Sequence, residues 1–172
     1  MEFLILSDSH GCVENLQAVE ARQIKRPDAI FFLGDGARDI AYFSTQSIPV
    51  WAVRGNCDWT TTDLADKTER LLHFEGHSIL MTHGHGWDVK YDKELTALTK
   101  HAAEEGADIV LFGHTHKPFL KTLPTGTVLG DITLTRPMHL FNPGSISYDG
   151  DRPSFGTLTI QGDNVLFGHG TL

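Results

Sequence analysis

The sequence predicts an α/β (α+β) fold, a mixed sheet or two packed sheets with helices outside. Three observations predict it. Apolar runs of four to five residues, rich in β-formers, alternate with stretches at helical spacing in the first part of the chain. Strand and turn signals dominate the last part. The composition, 40% hydrophobic and 21% charged over 172 residues, is that of an ordinary globular chain. At 19.0 kDa such a chain exposes about 8,400 Å² when folded, enough burial for a core without disulfide staples. With no linker, repeat or low-complexity stretch, residues 1–172 read as one domain.

The elements follow in order. Residues 3–7 are a short strand that stops at the polar turn Asp8-Ser9-His10-Gly11. Residues 13–25 read as a helix, with Val13, Leu16, Ala18, Val19 and Ile24 at apolar positions, ended by Pro27-Asp28. Residues 29–33 are a second strand, stopping at Gly34-Asp35-Gly36; residues 38–43 are predicted as a short helix. Residues 49–53 form a third strand before Arg54-Gly55-Asn56-Cys57-Asp58. Residues 69–74 and 77–82 flank Glu75-Gly76 as a hairpin, and the second arm stops at His83-Gly84-His85-Gly86. Residues 92–105 read as a helix through Leu95, Leu98 and Ala102, with Gly106 as its terminator. Residues 109–112 are a strand before Gly113-His114-Thr115-His116. Strands are predicted at 119–123, 138–141, 156–160 and 164–168, with Gly162-Asp163 as a closing turn. Residues 124–131, which include Gly126 and Gly130, read as a loose loop.

Several classes of function are disfavoured. No apolar run could span a bilayer, so no membrane partner is expected. The N-terminus has neither a basic region nor a cleavage site, and the two cysteines, Cys12 and Cys57, read as free thiols of a cytoplasmic protein. A net charge of −8 disfavours broad nucleic-acid binding, which needs basic surface. It is compatible with a phosphate-bearing substrate, because bound cations would reverse the local field. A homo-oligomer is left open.

The chemistry sits at strand ends. Five apolar runs end in Asp8-x-His10, Gly34-Asp35, Gly55-Asn56, His83-Gly84 and Gly113-His114-x-His116. In open α/β sheets, ligands bind at the carboxyl ends of strands. Gathered on one rim, these residues bring two carboxylates, one amide oxygen and four imidazoles, a donor set for borderline divalent metals. With one bridging carboxylate the set suits two ions about 3.5–4 Å apart. Composition alone predicts about 0.8 Asp-x-His patterns but only about 0.06 Gly-His-x-His patterns. It is their joint occurrence after buried strands that carries the argument.

In order, Asp8-Ser9-His10, Gly34-Asp35, Gly55-Asn56-Cys57-Asp58, Thr82-His83-Gly84-His85 and Gly113-His114-Thr115-His116 resemble the motifs of the calcineurin-like metallophosphoesterases. The compact length, the Gly-Asn-Cys-Asp wording and Asn142-Pro143-Gly144-Ser145 resemble the small YfcE-like phosphodiesterase branch. The resemblance implies a two-sheet β-sandwich flanked by helices, the αββα metallophosphoesterase fold. It implies one metal on Asp8, His10, Asp35 and His116, and a second on Asp35, Asn56, His83 and His114. Asp35 bridges, a position that needs two outward lone pairs. The cofactors expected are two divalent ions, Mn²⁺ first, with Ni²⁺, Fe²⁺ or Zn²⁺ as alternatives. The activity implied is hydrolysis of a small phosphodiester or other phosphorylated substrate, a bridging hydroxide attacking phosphorus in line. The alternatives are a phosphomonoesterase or phosphoprotein phosphatase, a nuclease of the superfamily, and a non-catalytic protein-binding scaffold of the same fold.

One position departs from the wider superfamily, where many members have His in place of Cys57 to assist the leaving group. A thiol of ordinary pKa about 8.5 is a poor proton donor to an alkoxide. His85 and Cys57 are therefore the candidate catalytic groups: either His85 takes the role, or the enzyme handles good leaving groups. Simpler readings stand beside these. Asp8 and His10 could cap the following helix, Asp35 and Asn56 could be turn residues, and Cys57 could be packed. Asp58 reads as a turn residue or one that orients a ligand, Ser145 as a turn residue. Trp59 and Trp87 could wall the pocket.

Overall fold

The structure is a computed structural model that describes residues 1–172 except Thr45, Thr61, Gly150 and Asp151. The chain builds two five-stranded sheets. The first runs in the order β12 (Asn164–Thr171), β11 (Ser154–Gln161), β1 (Glu2–Leu6), β2 (Ala29–Phe32), β3 (Val50–Ala52). The second runs β4 (Glu69–Phe74), β5 (His77–Thr82), β6 (Ile109–Leu111), β10 (Met138–Pro143), β7 (Pro118–Leu123). A small ribbon pairs β8 (Val128–Leu129) with β9 (Ile132–Thr133). The helices are α1 (Val13–Arg22), α2 (Ala41–Ser44) and α3 (Thr96–Glu104).

The apolar runs become strands buried on both faces, which is why they are continuous rather than alternating. Phe3 and Ile5 of β1 and Phe31 of β2 point between the sheets and meet Ile79, Met81, Ile109, Leu111 and Phe141. Leu4, Leu6, Ile30 and Phe32 point outward onto Leu16 and Val19 of α1 and Phe43 of α2. Leu80, Val110 and Leu140 face Leu98 and Ala102 of α3. The result is the expected helix–sheet–sheet–helix layering. The accessible surface, 8416 Å², is the area a compact chain of this mass exposes.

Some boundaries differ from expectation. The helix predicted over 38–43 is displaced to α2, because Gly36 carbonyl accepts the Asp39 N–H at 2.9 Å and closes a turn first. The helix predicted from 92 begins at Thr96. Asp92 is its capping side chain, Oδ2 accepting the Thr96 N–H at 2.6 Å, while Leu95 at φ +57° interrupts the helical path. α1 stops at Arg22, three residues early, with Gln23 extended. The loop predicted over 124–131 contains β8, whose partner β9 follows directly. The closing hairpin is longer than predicted, β11 and β12 pairing from Ser154 with Thr171 to Gln161 with Asn164.

β1, β2 and β3 run parallel, as do β5, β6 and β10. Parallel neighbours end on the same side, so the turns after β1, β2, β3, β5 and β6 are brought to one rim. Bonds between turns tie that rim together: Asp8 N–H to Gly34 carbonyl at 2.9 Å, His10 N–H to Asp35 carbonyl at 3.1 Å, and Gly113 N–H to His83 carbonyl at 3.1 Å. Ile146 and Ser147 N–H bond the Ser7 and Asp8 carbonyls at 3.0 and 3.2 Å, binding the segment after β10 to the turn after β1.

Candidate metal centre

The ligand candidates occupy unusual backbone. Nine described non-glycine residues have positive φ, and five of them are Asp8, His10, Asp35, His114 and His116. Left-handed backbone costs about 1 kcal/mol or more per residue and persists where surrounding structure imposes it. Two glycines allow the close approaches. A Cβ on Gly55 would lie 2.1 Å from Asp35 Oδ1, and one on Gly113 would lie 2.1 Å from Ser7 Oγ and 2.9 Å from Asp8 Oδ2.

Three sets of donor atoms lie within 4.8 Å of one another: Asp8, His10 and His116; Asp35, His83 and His114; and His10, Asp35 and Cys57. Asp8 Oδ1 is 3.2 Å from His116 Nε2, 3.8 Å from His10 Nε2 and 3.9 Å from His83 Nε2. Asp35 Oδ2 is 3.3 Å from His83 Nε2 and 4.0 Å from His10 Nε2. Asp35 thus stands between the first set and the second.

Each ligand atom is selected by what holds its other end. Ser7 Oγ–H and His114 N–H donate to Asp8 Oδ2, leaving Oδ1 for the centre. Cys57 N–H donates to Asp35 Oδ1 at 2.7 Å, leaving Oδ2. His83 Nδ1 donates to Leu33 carbonyl at 2.6 Å, which aims Nε2 inward. Asn142 Nδ2 donates to Gly113 carbonyl at 2.8 Å and Thr115 Oγ1 at 3.1 Å, holding the His114-Thr115-His116 turn. Ser145 Oγ donates to Asp8 carbonyl at 2.9 Å.

Among the described residues, the buried side-chain polar atoms without a hydrogen-bond partner are Asp8 Oδ1 and His83 Nε2. Leaving such atoms unpaired costs about 1–3 kcal/mol each. An anionic oxygen and an imidazole nitrogen aimed at the same space are what a divalent cation satisfies, and the donor set fits one or more such ions.

The electrostatics agree. Burial raises the Asp35 carboxyl, but His83 and the Cys57 N–H outweigh it and hold it well below the usual carboxylate range. Burial lowers His83, and the facing Asp35 and Asp8 outweigh it, so its pKa rises. Burial, then the charges of His83 and Lys90, push His114 down to about 4, a neutral imidazole ready to bind metal. Burial and Asp35 push the Cys57 thiol up to about 11.

Asn56 is exposed on the loop that seats Asp35, its Nδ2 bonded to Cys57 Sγ at 3.3 Å. His85 is exposed on a 3₁₀ turn, its ring 5.5 Å from His83 and 6.2 Å from His114. Burial and the His83 charge lower its pKa. Asp8 and His10 do not cap α1, whose cap position is Cys12 with no side-chain bond. Trp59 lines a groove of about 220 Å³ with His10, Asp35 and Cys57. Trp87 instead stacks on His101, ring centres 4.2 Å apart. Asp39 carries no motif signal, yet its Oδ2 accepts Ser9 Oγ–H at 2.6 Å and Gly11 N–H at 2.8 Å, steadying the turn that bears His10.

A family model described as a calcineurin-like phosphoesterase superfamily domain matches residues 1–163. The chain belongs to this superfamily. A curated metallophosphoesterase relative is the probable metallophosphoesterase YsnB of Bacillus subtilis (strain 168), 34% identical over 165 residues, covering 95% of this chain and 86% of that protein. Among solved structures, an archaeal phosphodiesterase superposes with a TM-score of 0.75 at 20% identity, covering 100% of both chains. Vps29 from Entamoeba histolytica, complexed with Zn²⁺, superposes at 0.69 with 23% identity over 99% of each chain. These two likenesses show that the calcineurin-like chain shares their fold. No described helix is long and apolar enough to cross a membrane.

Proposed function

We propose that this metallophosphoesterase is a dinuclear phosphodiesterase acting on a small diester in the cytoplasm. The observation that carries the reading is the pair of partnerless buried atoms, Asp8 Oδ1 and His83 Nε2, 3.9 Å apart beside Asp35. Asp8, His10 and His116 would hold one ion, and His83, His114 and Asn56 the other, with Asp35 shared. Bound divalent ions supply Lewis acidity, acidifying water and offsetting charge on the phosphoryl group. Mn²⁺ is the first candidate, with Ni²⁺, Fe²⁺ and Zn²⁺ also suited to nitrogen and oxygen donors.

The chain's residues do the positioning. The Leu33 carbonyl keeps the His83 proton on Nδ1, and the Cys57 N–H presents Asp35 by a single oxygen. Asn56 adds a neutral oxygen and so spares an anionic substrate a third carboxylate. His85, exposed with its ring near those of His83 and His114, would serve as proton donor to the leaving group, and Cys57 would be a bystander whose backbone is what matters. The test is hydrolysis of bis-p-nitrophenyl phosphate against p-nitrophenyl phosphate by metal-stripped protein with each metal restored. Metal-dependent diester cleavage, lost in Asp35→Asn and His114→Ala, is the expected result. Monoester preference would assign a phosphomonoesterase. No turnover with two ions bound would favour the scaffold role.

A further inference from the structure

We propose that the trough beside His116 binds a second phosphate of the substrate, one that is not attacked, through Lys90 and Lys117. The inference rests on the phosphoesterase reading of the metal centre and concerns the substrate that centre takes.

Two grooves of about 630 and 680 Å³ share Lys90, Thr115, Lys117 and Pro118, so they run together with the two lysines at the seam. The second groove is lined by His116, a ligand candidate, which makes the trough continuous with the centre. Lys93 adds a cation to the first groove and Arg152 one to the second. None of these four has an ion-pair partner among the described residues. Of the other ten cations, Lys25, Lys100, Lys121, Arg70 and Arg136 are paired with carboxylates, Arg22, Arg26 and Arg38 bond carbonyl or hydroxyl oxygens, and Arg54 and Lys67 have no carboxylate partner among the described residues.

The trough's sign is opposite to that of the chain, whose net charge is −8. Four cations gathered on one trough focus a positive field there and attract an anion supplied from outside. Two carboxylates also line the trough, Asp92 and Asp149. Asp92 is occupied with the N–H groups of Glu94 and Thr96 at the start of α3. Four cations less two carboxylates leave the lining at +2. Lysine ammonium groups act as point charges that converge on a tetrahedral phosphate without demanding the planar fork of a carboxylate site. The patch is too small for a nucleic-acid backbone, which needs many neutralised phosphates.

The probe is a pair of ligands differing by one phosphate, hexyl phosphate and 1,6-hexanediol bisphosphate. Binding to the metal-loaded protein is measured directly, and again as competition with bis-p-nitrophenyl phosphate hydrolysis. The bisphosphate is expected to bind about tenfold or more tightly than the monophosphate. That advantage shrinks to about twofold in the exposed double variant Lys90→Ala/Lys117→Ala, and falls as salt is raised. Equal binding of the two ligands, binding of neither, or an advantage that survives in the double variant overturns the proposal. A lysine-dependent preference without diester turnover leaves the trough standing and removes the catalytic reading. Diester turnover without the preference removes the trough alone.

Discussion

The carboxylate of Asp58 holds the backbone of Asp35. Its Oδ2 accepts the N–H of Asp35 and of Gly55, both at 2.8 Å. Its Oδ1 accepts those of Gly36 and Ala37 at 2.9 and 2.8 Å. Four backbone donors on one side chain fuse the turn after β2 to the turn after β3. The backbone that seats Asp35 and the loop that bears Asn56 are therefore held as one unit.

Asp58→Asn replaces one acceptor oxygen by an amide that meets N–H groups with N–H groups. Metal affinity is expected to drop about 10–100-fold, as for other groups that orient ligands. Titration of metal-stripped protein checks this, and unchanged affinity would show that Asp58 only closes a turn.

His83 must lose a proton to bind metal. Its pKa is raised, so the protonated form stabilises the metal-free protein. That contribution is complete below the ordinary value of about 6.5 and is lost as pH rises through the higher folded value. Metal binding near neutral pH is therefore expected to release a proton, with affinity climbing as pH rises and then levelling. Calorimetry in buffers of different ionisation enthalpy measures the release. His114, already depressed to about 4, adds nothing to it at neutral pH.

The leaving-group donor can be separated from the ligands. Diesters with alkyl leaving groups need a proton, and p-nitrophenyl esters need little help. His85→Gln is expected to slow the former about 10²-fold and the latter only a few-fold. Cys57→His is expected to leave rates on alkyl diesters unchanged, as a bystander side chain requires, and a faster variant would show that Cys57 limits the enzyme.

Stability is expected to be separable from the centre. Buried Asp108 accepts Ser78 N–H at 2.7 Å, pairs with His77 Nδ1 at 2.7 Å and with Arg136 at 2.9 Å, joining β5 to the segment before β10. Asp108→Ala leaves those donors unmatched and is expected to cost about 3 kcal/mol. Denaturant unfolding gives the value, while metal stoichiometry should stay the same.

Strands buried on both faces are legible in sequence because burial makes the run itself apolar. β1, β2, β5 and β6 could be drawn from Phe3-Leu4-Ile5-Leu6 and its counterparts without coordinates. Six ligand candidates, Asp8, His10, Asp35, His83, His114 and His116, were legible because each directly follows such a run. Their meeting, with Asn56 on the neighbouring loop, is a consequence of parallel strands ending on one side. Helix ends were less legible: Asp92 looks like a first helical residue but acts by capping from outside, and local propensity does not separate the two. Three things came only from the folded chain. It decided which oxygen of Asp8 and Asp35 faces the centre, since Ser7, His114 and Cys57 occupy the other. It gave Asp39 its work on Ser9 Oγ–H and Gly11 N–H, and it fixed which four backbone N–H groups Asp58 holds, partners that sequence does not mark. It also gathered Lys90, Lys117 and Arg152, unremarkable apart, onto one trough. Burial and strand order are written in the local pattern of residues, whereas the direction of a lone pair and the company of a charge depend on neighbours distant in the chain.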